Sequence, residues 1–187
     1  MASPLVTGRR AYLCFMNLEY KHLLPDSFSP LSKVWVYQSS RLFSLSEALE
    51  IESLLSKFSS EWRSHGAEVY AYSNLFFGRF VVLMADETHT TVGGCSTDSS
   101  VRFIKELGEK FNVDFFNRTN LAFVINDKIQ LLPMGQLHYA LDNYFINPDT
   151  LYFNNLVQTK EQLENGWIVP IKESWIASRV PHKTTSG

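Results

Sequence analysis

The sequence is poor in most of the features that would declare a class. It has two cysteines in 187 residues, Cys14 and Cys95. That is too few for a disulfide framework, so a reducing, cytoplasmic setting is the expectation. It has no charge of one sign in excess: 17 basic residues stand against 19 acidic ones, for a formal net charge of −2. A broad phosphate-tracking surface is therefore not expected, and nucleic acid is not an expected partner. Its longest apolar runs, such as Phe80–Met84, are about five residues, against the ~20 that a membrane-spanning helix needs. No Cys-x2-Cys or His-x3-His spacing occurs, so neither a metal nor another cofactor is expected. No Gly-x4-Gly-Lys-Ser/Thr string occurs either, which removes ordinary P-loop NTP hydrolysis. What is present is a globular composition, 45% hydrophobic and 19% charged, at a length that suits one domain.

The first 33 residues read differently from the rest. Arg9 and Arg10 precede Ala11–Met16, which resembles the start of a secretory leader. The apolar stretch is then broken by Asn17 and Glu19, before it reaches the length of a leader's apolar region. Pro25 and Pro30 follow among Ser27, Ser29 and Ser32, a breaker-rich run that reads as a linker. The expectation is an extension at 1–33 outside the fold, or a translation start placed upstream of a true beginning at Val34. A single domain over 34–180 and a tail over 181–187 complete the division.

Within that domain, Val34–Tyr37 is rich in β-branched and aromatic residues and predicts a strand. Ser44-Leu45-Ser46-Glu47 has the spacing of a capping box. Leu45, Ala48, Ile51, Leu55, Phe58 and Trp62 then recur every three or four residues, the apolar face of a helix, with His65-Gly66 as its stop. Val69–Phe76 and Phe80–Met84 flank a short turn and predict a hairpin. A polar loop over 86–94 leads to a second helix that begins near Ser96–Asp98, with Val101, Ile104, Leu107 and Phe111 as its stripe. Leu121–Ile125 and Lys128–Leu132 flank Asn126-Asp127, a second hairpin. Strand, helix, strand, strand, helix, strand is the βαββαβ order of a ferredoxin-like α+β sandwich, here with one appended strand. After Pro133 the pattern predicts a C-terminal α/β extension: short helices near 134–141 and after Thr159, and short strands at 151–153 and 167–169.

The stretch with chemical content is Gly93-Gly94-Cys95-Ser96-Thr97-Asp98-Ser99-Ser100. It joins a loop to a helix start. Two glycines permit close approach of a ligand, and a helix start offers unpaired amides and the positive end of the dipole. Hydroxyls from Ser96, Thr97, Ser99 and Ser100 add donors to an anion, and Arg102 adds a charge further along. A thiol beside such an end is favoured as thiolate, which makes Cys95 a candidate nucleophile. His89, in the same loop, is its candidate base, with His65 and His138 as alternatives. Asp98 is either a catalytic neighbour or an N-cap. A phosphatase-type thiol loop needs arginine six residues after its cysteine, whereas Arg102 is seven after Cys95 and Asp98 would sit inside the phosphate cradle. Asp86, Glu87 and His89 read as a solvated loop, not a metal site. The crowded strand aromatics read as core packing, and Asn154 and Asn155 as polar groups that either face a cleft or turn the chain.

Three segments carry a resemblance: Trp35–Ser40, Gly94–Ile104 and Phe153–Val157. In them the chain resembles a family of short bacterial proteins that often bear the label "ABC transporter ATPase". The resemblance spans about Val34 to Arg179. The label implies ATP hydrolysis, but the P-loop lysine and the signature motif of such ATPases are both missing. Two function classes follow. One is a cytoplasmic binding or interaction module for a small molecule or a protein, with an anionic ligand site at Gly93–Ser100. The other is a thiol-dependent enzyme using Cys95.

Overall fold

A computed structural model describes residues 16–88 and 91–179. His89, Cys14 and the 181–187 tail lie outside the described residues. The chain is mixed α+β, with four α-helices and antiparallel sheets among those residues. The elements in order are β1 (Lys33–Gln38), α1 (Leu45–Glu61), β2 (Arg63–Ser64), β3 (Ala67–Glu68), β4 (Tyr70–Phe76), β5 (Phe80–Asp86) and α2 (Gly94–Phe111). They continue as β6 (Asn120–Ile125), β7 (Lys128–Pro133), α3 (Leu137–Asp142), β8 (Leu151–Phe153), α4 (Lys160–Gly166) and β9 (Ile168–Pro170). No described helix is long and apolar enough to cross a membrane.

The local signals mostly act as expected. Ser44 caps α1 through a complete capping box: its hydroxyl accepts from the Glu47 N–H, and Glu47 accepts from the Ser44 N–H. Glu47 is also held at both oxygens by Arg41, at 2.7 and 3.0 Å. The Arg41 guanidinium and the Ser44 amide keep its carboxyl down at about 2. His65 and Gly66, both at positive φ, do not end α1; they turn the small β2–β3 ribbon instead. The β4–β5 turn likewise places Phe77 and Gly78 at positive φ.

The strands form two main sheets, one ordered β1-β5-β4 and the other β7-β6-β8-β9. In the first, every residue of β5 is buried. Val81 and Leu83 face α1 and α2 with Ile51, Leu55, Ile104 and Leu107. The alternate residues Phe80, Val82 and Met84 face the second sheet, where Ala122, Phe153 and Trp167 meet them. The far face of the second sheet, Leu121, Phe123 and Tyr152, is covered by α3, Ile171 and Ile176. The result is four layers: helices, sheet, sheet, and short helices with irregular chain.

This corrects the expected sheet in one respect. The β1-β5-β4 order matches three strands of a ferredoxin-like sheet, but the strand after α2 does not join them. That strand, β6, pairs with β7 over its full length and with β8 at Phe123–Tyr152. Hairpin pairing to its immediate neighbour is local and needs little loop closure. The periodicity of β6 cannot reveal which partner it takes.

The reading of 1–33 as an extension is also corrected for the part described. Tyr20, Leu24 and Phe28 are buried, at spacings of four. The Tyr20 ring packs edge-on to Trp167 at 4.9 Å and to Phe76 at 6.2 Å, and its hydroxyl donates to the Leu163 carbonyl at 2.6 Å. Phe28 stacks on Tyr70 at 4.5 Å. The Ser29 N–H donates to the buried carboxylate of Asp86 at 2.7 Å, and Thr88 supplies two more donors to its other oxygen. The prolines and serines shape a bound strap, whose turns are closed by Phe28 N–H to Pro25 and Ser32 N–H to Ser29.

Candidate functional site

The helix opening was the sequence's first candidate. Helix α2 starts at Gly94, with Gly93 as N-cap and no side-chain cap. Asp98 is therefore inside the helix and exposed, and is not the N-cap. The hydroxyls turn inward along the helix. Thr97 donates to the Gly93 carbonyl, Ser99 to that of Ser96, and Ser100 to that of Thr97. Such bonds to the preceding turn occupy the protons that an anion would need. The Ser96 hydroxyl is buried without a partner, while its carbonyl accepts from the Trp62 indole at 3.0 Å. Arg102 lies two turns along and is exposed.

Cys95 is a free, exposed thiol. The histidine at this end is His65. Its ring lies so close to Gly93 that a Cβ there would stand 2.7 Å from Nε2. A Cβ at position 93 would meet the tip of the exposed imidazole, which would have to turn aside; Gly94 has open space around it. Ser64 joins the same corner, donating to the Thr91 carbonyl at 2.7 Å and accepting from the Gly93 N–H at 3.4 Å. Gly93, Cys95 and His65 thus belong to one corner, while His138 starts α3 elsewhere. Among the described residues no group of three or more His, Cys, Asp and Glu is placed to hold a metal.

A second location gathers groups that the sequence scattered. In β1 the ladder to β5 uses the odd residues: Ser39 N–H donates to the Arg79 carbonyl, whereas Val34 N–H points the other way, to Gln158. The N–H and C=O of Val36 and Gln38 therefore also point away from β5. Past the Lys33–Thr159 bridge, no described strand pairs with this edge. In place of a fourth strand there is a cavity of about 70 Å³. Val36 and Leu121 line it with Phe115 and Phe153; its polar lining comes from Gln38, Asn117, Arg118, Asn120, Tyr152 and Asn155.

Its polar groups are knitted together. Gln38 is 7% exposed; it donates from Nε2 to the Asn120 carbonyl at 3.0 Å and accepts at Oε1 from Asn155 at 2.9 Å. Asn155 Oδ1 accepts from the Trp167 indole at 3.0 Å. Tyr152 is 3% exposed, and its hydroxyl accepts from the Trp175 indole at 3.2 Å. Burial pushes the Tyr152 phenol up from its ordinary value, and the bond to Trp175 offsets this in part. Tyr152 is therefore a neutral hydroxyl at any ordinary pH. Arg118 stands exposed at the rim and makes no ion pair among the described residues.

The sequence reading placed Gln38 and Asn155 only inside segments of resemblance, and treated Asn155 as facing a cleft or turning the chain. It missed Arg118 and Tyr152. The available signal was polar amides beside apolar strands: a glutamine directly after Val34–Tyr37 and paired asparagines after Tyr152-Phe153. Compared with family models, with curated proteins and with solved structures, the chain has no match.

Proposed function

We propose that this chain is a binding module whose small-molecule site is the cavity at the open edge of β1. One observation carries the reading: Gln38 and Asn155, bonded to each other and anchored from behind by the Trp167 indole, line a cavity where a strand would otherwise pair. Buried amides are costly unless satisfied, and satisfied ones hold a site rigidly. The hydroxyls at Gly93–Ser100 are spent within the helix, which weighs against that segment as the main ligand site. A cytoplasmic location fits this reading, and so does membership of the short bacterial family. The ATPase label does not, because about 70 Å³ is far below the ~300 Å³ at which ordinary ligand pockets begin. The ferredoxin-like kinship is proposed only for residues 33–111, where strand order agrees.

The test is an amide-resolved NMR titration of the full chain with a library of very small polar molecules. The reading expects shifts clustered at Val36, Gln38 and Asn155. Shifts confined to Gly94–Thr97 would return the ligand site to the helix opening. A second reading, thiol chemistry at Cys95, is favoured by its exposure and by the His65 ring at the same helix end. Alkylation of Cys95 faster than that of an unfolded cysteine peptide at the same pH supports that reading, and an equal or slower rate removes it.

A further inference from the structure

The balance of donors and acceptors in the cavity, which rests on the binding reading above, selects a class of occupant. We propose that the site takes a small monocarboxylate of acetate or propionate size, its charge toward Arg118 and its alkyl end against the apolar wall.

The acceptors are largely spent. Gln38 Oε1 is taken by Asn155, Asn155 Oδ1 by Trp167, and the Asn120 carbonyl by Gln38. The Asn117 side-chain oxygen accepts from the amide and the hydroxyl of Thr119. The donors are not spent. Tyr152 already accepts the Trp175 indole, so its own proton is free for an acceptor. Asn155 and Asn117 each keep an N–H, and the Val36 N–H is turned to this edge. The Val36 and Gln38 carbonyls on the same edge are acceptors that a carboxylate leaves unused. An ionised carboxylate only accepts, which suits a wall of donors. No aspartate or glutamate lines the cavity, and the one charged lining group is Arg118. A guanidinium and a phenol together give charge-assisted bonds that offset the desolvation of a small anion. The apolar wall is Val36, Phe115, Leu121 and Phe153. A volume of about 70 Å³ admits only a few heavy atoms, by the space a water needs. The carboxylate can belong to a free acid or to the end of a peptide; the size of the cavity favours the free acid.

The experiment is NMR titration of the full chain with acetate, propionate, acetamide and ethylamine at constant ionic strength in chloride, with a short peptide in free-acid and amidated forms. Acetate and propionate are expected to move the amides of Val36, Gln38 and Asn155 saturably, acetamide and ethylamine at least tenfold more weakly. Arg118→Gln, an exposed change, should keep the melting temperature and weaken acetate at least tenfold. Tyr152→Phe should weaken it several-fold. Acetamide binding as well as acetate would overturn the carboxylate assignment and leave the cavity reading standing. No saturable shift at these residues with any probe would overturn both. Saturation by chloride alone, or unaltered acetate binding in Arg118→Gln, would overturn the assignment as well. A free-acid peptide binding more tightly than propionate would overturn the choice of a free acid.

Discussion

Tyr20 decides whether the strap at residues 16–33 belongs to the domain. Its ring is 5% exposed, lies 4.9 Å from Trp167 and 6.2 Å from Phe76, and its hydroxyl holds Leu163 O at 2.6 Å. Tyr20→Ala removes a buried aromatic ring from between two others, a change that costs about 3–5 kcal/mol in transfer and cavity terms. Tyr20→Phe keeps the ring and removes one donor, leaving a helix carbonyl less well satisfied, for about 1 kcal/mol. Native stabilities are commonly about 5–15 kcal/mol, so the first change is a large share of the total. The assay is urea unfolding of the full chain, followed by tryptophan fluorescence. The midpoint should fall in the order wild type, Phe, Ala, with similar slopes. Burial, with Glu164 and Glu19 nearby, also pushes the Tyr20 phenol up to about 12. A raised value favours the neutral form in the native state. The stability this contributes is complete below pH ~10 and is lost as pH climbs from ~10 toward 12. Tyr20→Phe should shrink the alkaline limb by that share, the buried Tyr37, Tyr72 and Tyr152 phenols, also raised, keeping the rest. A loss below about 1 kcal/mol for Tyr20→Ala would refute the reasoning, because a ring so packed cannot be removed so cheaply.

Two further outcomes are specific. Asp86→Asn should cost about 1–3 kcal/mol by turning an N–H₂ toward donors from Ser29 or Thr88, checked by denaturant melts. Burial raises the Asp86 carboxyl, but the bonds from the Ser29 amide and from Thr88 outweigh that and hold it below its ordinary value. Its contribution is therefore present above pH ~4 and lost as pH falls through the depressed native value, and the variant should lack that acid limb. Asp98→Ala should stay within about 0.5 kcal/mol of wild type, since Gly93 and not Asp98 is the N-cap; a loss near 1 kcal/mol in the same melts would mean that the side chain caps after all.

The elements were legible where the deciding physics is local. The Ser44–Glu47 box, the stripe of α1, the two hairpins and the Thr159 cap on α4 all rest on contacts within a few residues. The partner of β6 was not legible, because both sheets offer it the same apolar faces. The strap was misread for a related reason. Pro25, Pro30 and the serines are the commonest marks of a linker, and the linker reading left out Tyr20, Leu24 and Phe28, whose spacing of four is an ordinary helical period. Yet the described backbone there has only a short turn at Lys21–Leu23. The rings are held by Trp167, Phe76 and Tyr70, all distant in sequence. The candidate site shows the same divide. Gly93–Ser100 drew notice because its residues are contiguous. Gln38, Arg118, Tyr152 and Asn155 meet only through the sheet.

The open edge of β1 and the diverted strand β6 are one fact seen from two sides. Had β6 continued the first sheet, it would have paired with the outward N–H and C=O groups of Val36 and Gln38. Because it pairs with β7 and β8 instead, no strand takes those groups, and they face the gap that is left. At one end the chain supplies Gln158 and Thr159. Further along, the Gln38 side chain reaches the Asn120 carbonyl of β6, bridging with a carboxamide what a ladder would have bridged with backbone. A side-chain bridge spans a wider gap than a strand pair does, and the width left over is the cavity. The cavity is thus a consequence of topology, and its polarity follows from a strand edge that packing alone would have left unpaired. Filling it by substitution tests this directly. Asn155→Leu removes the amide that holds both Gln38 Oε1 and the Trp167 indole, and it should destabilise despite adding apolar volume, because two buried polar groups lose their partner.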